Sequence, residues 1–156
     1  MILLAAQESG QIGPVGIALI VGFIVILIIC AIYDKKNKEK FNKNAFENFK
    51  DKVIDSGYGY HITNERQILF ISSGMYELFN LDEIAMLVYI WDHNRRGYSY
   101  SLRDVNGKLV KGSRFNFGRK NAVKANLAGV AASEEDIKGM YEFFRKYVPS
   151  LQIKKN

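Results

Sequence analysis

Basic side chains are concentrated in one stretch of this chain, RRGYSYSLRDVNGKLVKGSRFNFGRK, at residues 95–120. The stretch holds eight Lys and Arg residues and four aromatic residues, and Asp104 is its only acid. Clustered cations bind anionic groups such as phosphates, and interleaved aromatic rings stack on nucleic-acid bases. The side chains of a candidate anionic-ligand or partner surface are Arg95, Arg96, Arg103, Lys108, Lys111 and Arg114.

The charge of the C-terminal part is polarised around this stretch. Residues 94–124 carry nine basic residues and one acid, a net charge of +8, whereas the rest of residues 56–156 has a net charge of −3. A face of this kind is attracted to an anionic membrane or to an acidic partner. The alternative that these cations are only solvated surface charge stays open, because edge strands also carry Lys and Arg to prevent edge-to-edge pairing.

No local motif for catalysis is present in the sequence. Nucleophile-elbow, phosphate-loop and dinucleotide-binding fingerprints are absent, and His61 and His93 each lack a second ligand at metal-binding spacing. Cys30 is the only cysteine, so a disulfide framework and a cysteine-based metal site are both excluded. We expect no catalytic, cofactor or metal site, and an active site assembled from distant residues is the remaining enzymatic alternative.

Residues 13–33, GPVGIALIVGFIVILIICAIY, contain no charged side chain and predict a transmembrane helix. A helix of this length reaches about 30 Å, the thickness of a bilayer's hydrocarbon core. Residues 1–12 have no Lys or Arg and residues 34–40 have four Lys, so the positive-inside rule predicts a short extracytoplasmic tail and a cytoplasmic C-terminal side. Ala18 and Gly22, four residues apart, predict close approach of two spans in a homodimer.

Residues 34–55 predict a basic juxtamembrane helix. Phe41, Ala45, Phe49 and Val53 recur at intervals of four and form one apolar stripe, with basic residues around it. Such a segment extends the span or packs on the following domain, and we favour both over a dedicated lipid sensor.

From Tyr58 onwards the hydrophobic period shortens towards two, which predicts short antiparallel strands. Residues 84–91, IAMLVYIW, are continuously apolar and predict a central strand. Residues 98–103 alternate, and a strong turn at residues 104–107 predicts a hairpin with residues 108–117. The alternation assigns Tyr98 and Tyr100, and with them Phe115 and Phe117, to a packed face, which weakens the case for base stacking.

The last part of the chain predicts helices. Residues 122–131 fit a short helix that Gly129 weakens, and the conformation of residues 118–132 is the least determined by the sequence. Ser133 is a good N-cap for an amphipathic helix that ends near Pro149. The apolar face of that helix contains Ile137, Met140, Tyr141, Phe144, Tyr147, Val148 and Leu151.

One segment resembles a known family. The sequence ILFISSGMYELFNLDEI, residues 68–84, combines Ile68 and Phe70, a Ser-Gly turn, Tyr76 and Phe79, and Asp82 leading into Ile84. It resembles the bacterial pleckstrin-homology-like (PH-like) domains of unknown function that sit beside transmembrane helices. The resemblance implies a small antiparallel β barrel or sandwich closed by a C-terminal helix. It also implies binding or scaffolding rather than catalysis, and it transfers no site residues.

Together these patterns predict a membrane-anchored α+β protein. We expect a tail at 1–12, a transmembrane helix at 13–33, a juxtamembrane helix at 34–55 and a cytoplasmic PH-like domain at 56–156. The expected location is a bacterial inner membrane, single-pass, with the N-terminus outside. The expected function is docking of a protein partner or an anionic lipid without a cofactor, and the alternative is a nucleic-acid-binding module that uses the basic hairpin 95–120.

Overall fold

A computed structural model describes residues 13–156, so the expected extracytoplasmic tail at 1–12 lies outside the described residues. The chain divides into two compact units, one that ends at Asn37 and one that comprises Lys38–Asn156. The first unit is helical in its described part, and all the strands of residues 13–156 lie in the second.

The N-terminal helix α1 (Pro14–Phe49) carries the apolar run. An 18-residue window of α1 has a mean hydropathy of 3.3, and none of it is buried inside the protein. By length and composition α1 is therefore a candidate membrane span. Ala18 and Gly22 are exposed on this helix, and their pairing with a second copy stays a prediction.

The predicted juxtamembrane helix ends earlier than its apolar stripe suggests. The turn after Phe49 is closed by Lys52 N–H, which donates to Phe49 O at 2.8 Å, and Val53 opens a strand that pairs with Thr63. Residues 50–55 are therefore not helical. The β-branched pair Val53 and Ile54 suits an extended strand, and it outweighs the interval of four that places Val53 on the helical stripe.

Besides the C-terminal end of α1 and a short 3-10 helix at Leu81–Glu83, the second unit contains ten strands and one further helix. In chain order they are β1 (Val53–Gly57), β2 (Tyr60–Thr63), β3 (Gln67–Ser72), β4 (Met75–Asn80), β5 (Met86–Asp92), β6 (Gly97–Arg103), β7 (Lys111–Asn116), β8 (Val123–Asn126), β9 (Ala128–Ala131), α2 (Glu134–Arg145) and β10 (Gln152–Lys155). Sheet A has the order β1-β2-β3-β4-β7-β8, and sheet B has the order β10-β5-β6-β9. As predicted, β5 is a central strand, and its residues 87–89 are buried.

The predicted hairpin of residues 98–103 with 108–117 forms only beside its turn, where Arg103 and Leu109 make a single antiparallel bridge, and it does not extend into the two strands. The turn forms, since Gly107 N–H donates to Asp104 O, but β6 pairs with β5 and β9 while β7 pairs with β4 and β8. The chain crosses from sheet B to sheet A at a junction of three buried residues, Leu102, Val110 and Leu127. There Val110 N–H donates to Leu102 O, Leu102 N–H to Leu127 O, and Leu127 N–H to Val110 O.

Residues 123–131 form two strands and not the predicted helix. Ala125, Leu127 and Ala131 are buried, and Gly129 lies against the ring of Tyr100, so alternate residues point inward with a period of two. Small apolar residues fit both periods, which is why the pattern is ambiguous. A Cβ at position 129 would lie 2.5 Å from the Tyr100 hydroxyl, so glycine is required there.

Helix α2 begins where predicted and closes one side of the core, but it ends at Arg145, before the predicted end near Pro149, so Tyr147, Val148 and Leu151 lie beyond it. Its N-cap is Ser133, in a capping box with Asp136, and Ile137 and Phe144 are fully buried. The Phe144 ring packs on Tyr60 at 5.4 Å between centroids. The helix is not the last element, because β10 follows it and pairs in parallel with β5.

The resulting architecture is α+β, with a candidate membrane helix followed by two sheets and a C-terminal helix. The sheets of residues 38–156 face each other across an apolar core and do not form a closed barrel. This arrangement is loosely compatible with the PH-like expectation.

Candidate anion-binding site

The six predicted basic residues do not form one surface. Arg95 and Arg96 precede the first residue of β6, whereas Arg103 is its last residue. Six residue steps of an extended strand separate the two ends by about 20 Å. The structure therefore divides the predicted surface into three places.

Arg95 and Arg96 lie in the turn between β5 and β6. Asp92 organises this turn, because its Oδ1 accepts the backbone N–H groups of Asn94 and Arg95 at 3.0 and 3.3 Å, and its Oδ2 accepts the Ser99 hydroxyl at 2.9 Å. The Ser99 hydroxyl and these N–H groups hold the pKa of Asp92 below its usual range. Arg95 also pairs with Asp92 at 3.7 Å, so part of its charge is already compensated.

Arg114 points between the sheets rather than to a basic surface. Its Nε donates to Oε1 of Glu77, which is only 5% exposed. Glu77 and Arg114 are cross-strand partners on β4 and β7. This arginine is thus engaged in an ion pair and is not part of an open cationic patch.

The remaining three, Arg103, Lys108 and Lys111, come together at the sheet junction. They line an open groove of about 560 Å³. Its other lining residues are Glu83, Asp104, Gly107, Leu109, Val110 and Asn126. Three of the predicted cations meet in this groove, and we call it the Arg103 groove.

The groove is held by backbone and side-chain hydrogen bonds. Arg103 donates from Nη1 to Gly107 O at 2.8 Å and from Nε to the Ser101 hydroxyl at 3.2 Å, which fixes its guanidinium over the turn. Asp104 Oδ1 accepts the N–H groups of Asn106 and Lys108, both at 2.9 Å. The turn is therefore a preformed scaffold for the two cations that flank it.

The cations of the groove lack acidic partners. Across residues 13–156, no carboxylate lies within 4.0 Å of the charged nitrogens of Arg103, Lys108 or Lys111. Two acids do line the groove, Glu83 and Asp104, but Asp104 is engaged by the backbone of its own turn. Three cations against two acids leave a modest positive charge that is available to a ligand.

Lys154 is a further cation near the groove, and the sequence does not predict its position there. It lines an adjoining depression of about 180 Å³ together with Arg103, because β10 places it beside Val88 of β5. No local signal marks this lysine, since it lies 51 residues from Arg103. Only the parallel pairing of the last strand brings the two together.

The aromatic residues of the basic stretch are packed away from the groove. Tyr98 and Tyr100 contact the core as predicted. Phe115 stacks on Tyr76 at 4.6 Å on the opposite face of sheet A, where Phe41 of α1 also packs, and Phe117 is half exposed there. No aromatic ring lines the Arg103 groove.

The two histidines have ordinary structural partners. The His61 ring lies 2.7 Å from the Ser56 hydroxyl through Nδ1 and contacts Phe46, and burial lowers its pKa. His93 Nδ1 accepts the indole N–H of Trp91 at 3.2 Å. Within residues 13–156 no three His, Cys, Asp or Glu side chains are grouped as metal ligands.

The chain was compared with protein-family models, with curated proteins and with solved structures, and it matches none of them.

Proposed function

We propose that the protein is a single-pass, membrane-anchored binding module. In this proposal α1 spans a bacterial inner membrane with the N-terminus outside, and Lys38–Asn156 is a PH-like domain at the cytoplasmic face. The apolar helix and the lysines that follow it support this orientation. The sequence contains no catalytic motif, and we therefore propose a binding function rather than an enzymatic one.

The Arg103 groove is the proposed contact of the domain with an anionic group. The observation that carries the proposal is the meeting of Arg103, Lys108 and Lys111 in one groove, where no carboxylate of residues 13–156 lies within 4.0 Å of their charged nitrogens. Near an anionic leaflet each such cation contributes about 1 kcal/mol. Tethering adds to this attraction, because it raises the effective concentration of the domain at the membrane. The anionic group belongs to a lipid headgroup or to an acidic segment of a protein partner.

The lipid source is tested by flotation of the Lys38–Asn156 fragment with vesicles of phosphatidylglycerol and phosphatidylcholine. The fragment should float with anionic vesicles at low salt and be released at high salt, because salt screens exposed charges. The groove variant Arg103→Glu, Lys108→Glu, Lys111→Glu should stay at the bottom of the gradient. A far-UV spectrum shows whether each variant is folded.

The matched control is Arg95→Glu, Arg96→Glu, Arg119→Glu, which changes the net charge by the same amount outside the groove. If both variants lose flotation equally, bulk charge explains the attraction and the groove has no special role. If the wild-type fragment does not float on any vesicle, the lipid source is excluded. The proteins that copurify with the full chain in mild detergent, and that the groove variant loses, then identify the protein source.

The nucleic-acid alternative has less support from the geometry. Single-strand binding relies on aromatic rings that stack on bases beside the cations. The rings of Tyr98 and Tyr100 contact the core and Phe115 stacks on Tyr76, and neither these rings nor the half-exposed Phe117 line the groove. A gel shift of single-stranded DNA that the groove variant abolishes would nevertheless favour this alternative.

A further inference from the structure

A second depression, distinct from the Arg103 groove, opens between the two sheets. It has a volume of about 350 Å³, within the size range of small-molecule sites. Its walls combine apolar side chains with an ion pair and two hydroxyl groups. They are formed by Tyr58, Tyr60, Phe70, Met75, Glu77, Tyr100, Arg114, Leu127, Ala128, Gly129 and Val130.

The polar groups of this cavity come from one row across sheet A. Tyr60 pairs with Phe70, Phe70 with Glu77, and Glu77 with Arg114, so all four side chains project from the same face. Tyr100 faces them from sheet B, and its hydroxyl lies 2.7 Å from that of Tyr60. Fixed strands on both sides therefore hold these groups in position, as a preformed site requires.

The hydrogen-bonding capacity of the row is not used up. Glu77 is the only side-chain or backbone acceptor that Arg114 contacts in the described part of the chain, and a guanidinium has five N–H donors. Glu77 has no side-chain partner other than Arg114 among residues 13–156, and a carboxylate accepts about four hydrogen bonds. Donors and acceptors thus remain for a ligand.

The tyrosine pair supplies one more donor. The two hydroxyl groups have two protons, and only one of them is shared between Tyr60 and Tyr100. Neither hydroxyl has another hydrogen-bond partner in residues 13–156. Burial raises the pKa of both hydroxyls, which keeps them protonated at neutral pH.

The charge of the cavity selects a class of ligand. Glu77 and Arg114 together are neutral, so a ligand with a net charge gains one attraction and suffers one repulsion. A ligand that carries one anionic and one cationic group satisfies both residues. The side chains of Phe70, Met75, Leu127 and Val130 then provide an apolar wall for its remaining part.

We propose that the inter-sheet cavity binds a free α-amino acid with an apolar side chain. Its carboxylate pairs with the guanidinium of Arg114, its ammonium group pairs with the carboxylate of Glu77, and its side chain packs on Phe70, Met75 and Val130. The tyrosine pair donates its remaining proton to the ligand carboxylate. Such a site would make the membrane-anchored domain responsive to a metabolite.

The test is isothermal titration of the full chain in nanodiscs with L-leucine, L-methionine and L-phenylalanine, and with two analogues of leucine. The analogue 4-methylpentanoate keeps the carboxylate alone, and 3-methylbutylamine keeps the amine alone. We expect at least one of the amino acids to bind. Both analogues should bind at least about tenfold more weakly than leucine, because each leaves one charged residue without its partner. Absence of binding by all three amino acids, or equal binding of leucine and its analogues, overturns the proposal.

Variants locate the binding. Arg114→Gln should abolish it, and Met75→Trp should abolish it as well by filling the cavity while the ion pair stays. The control Arg119→Gln removes the same charge outside the cavity and outside the Arg103 groove, and it should leave the affinity unchanged. If Arg114→Gln does not fold, the result for Met75→Trp decides whether the cavity is the binding site. Retained binding by a folded Met75→Trp chain places the amino acid elsewhere and refutes the cavity, and the comparison of leucine with its analogues stands without any variant.

Discussion

Replacement of Arg114 by methionine removes the partner of a buried carboxylate. Glu77 is 5% exposed, and Arg114 is the only side chain that compensates its charge among residues 13–156. Loss of one partner of a fully buried pair costs about 3–5 kcal/mol. The Arg114 side chain is 37% exposed, so water reaches one side of the pair, and we expect a smaller loss of about 2 kcal/mol.

Urea unfolding of the Lys38–Asn156 fragment measures this loss. With a slope of about 2 kcal/mol per molar urea, the midpoint should fall by about 1 M. A double variant, Glu77→Leu with Arg114→Met, replaces the pair by apolar groups and should recover most of the stability.

The double-variant cycle separates charge from packing. If Arg114→Met is equally destabilising in the presence of Glu77→Leu, lost packing of the arginine stem explains the deficit. In that case the buried pair contributes no coupling. A deficit below about 0.5 kcal/mol at pH 8 would show that Glu77 is solvated, which contradicts its burial in the structure.

Two further predictions concern helix α2 and the turn that follows it. Ser133→Ala should cost about 1 kcal/mol, measured by urea unfolding against the exposed control Lys138→Ala, because Ser133 Oγ accepts the Asp136 N–H at 3.1 Å. The Tyr147 hydroxyl donates to Asp55 Oδ2 at 2.6 Å, which lowers the pKa of Asp55 and, together with burial, raises that of Tyr147 to about 12. Wild type should therefore lose this stabilisation as the pH falls below about 4 and as it rises from about 10 to 12. In thermal unfolding profiles Tyr147→Phe should not show the loss at high pH and should show a smaller loss at low pH, because the Ser56 N–H and Lys146 still lower the pKa of Asp55.

Features set by local chemistry are readable from the sequence. The N-cap at Ser133, the apolar run of α1 and the reversal at residues 104–107 all depend on neighbouring residues, and all three occur in the structure. The alternation of Tyr98, Tyr100 and Leu102 likewise identifies the core face of β6. Each of these patterns is complete within a few residues of the chain.

Features set by pairing between distant strands are not readable in the same way. A turn dictates that the chain reverses, but it does not dictate whether the returning strand stays in the same sheet, and β7 leaves it. The polar sequence QIKK gives no sign of the strand β10, which forms because β5 offers it an edge. For the same reason the sequence groups Arg114 with the surface cations, whereas its register on β7 places it opposite Glu77.

The junction of Leu102, Val110 and Leu127 has a consequence for how the groove can evolve. Its three hydrogen bonds join main-chain atoms, and the turn that carries Lys108 lies between two of the three residues. Side-chain replacements within that turn remove none of these bonds. We therefore expect that substitutions in the turn can change the ligand preference at little cost to folding, which makes the turn a suitable site for new recognition residues.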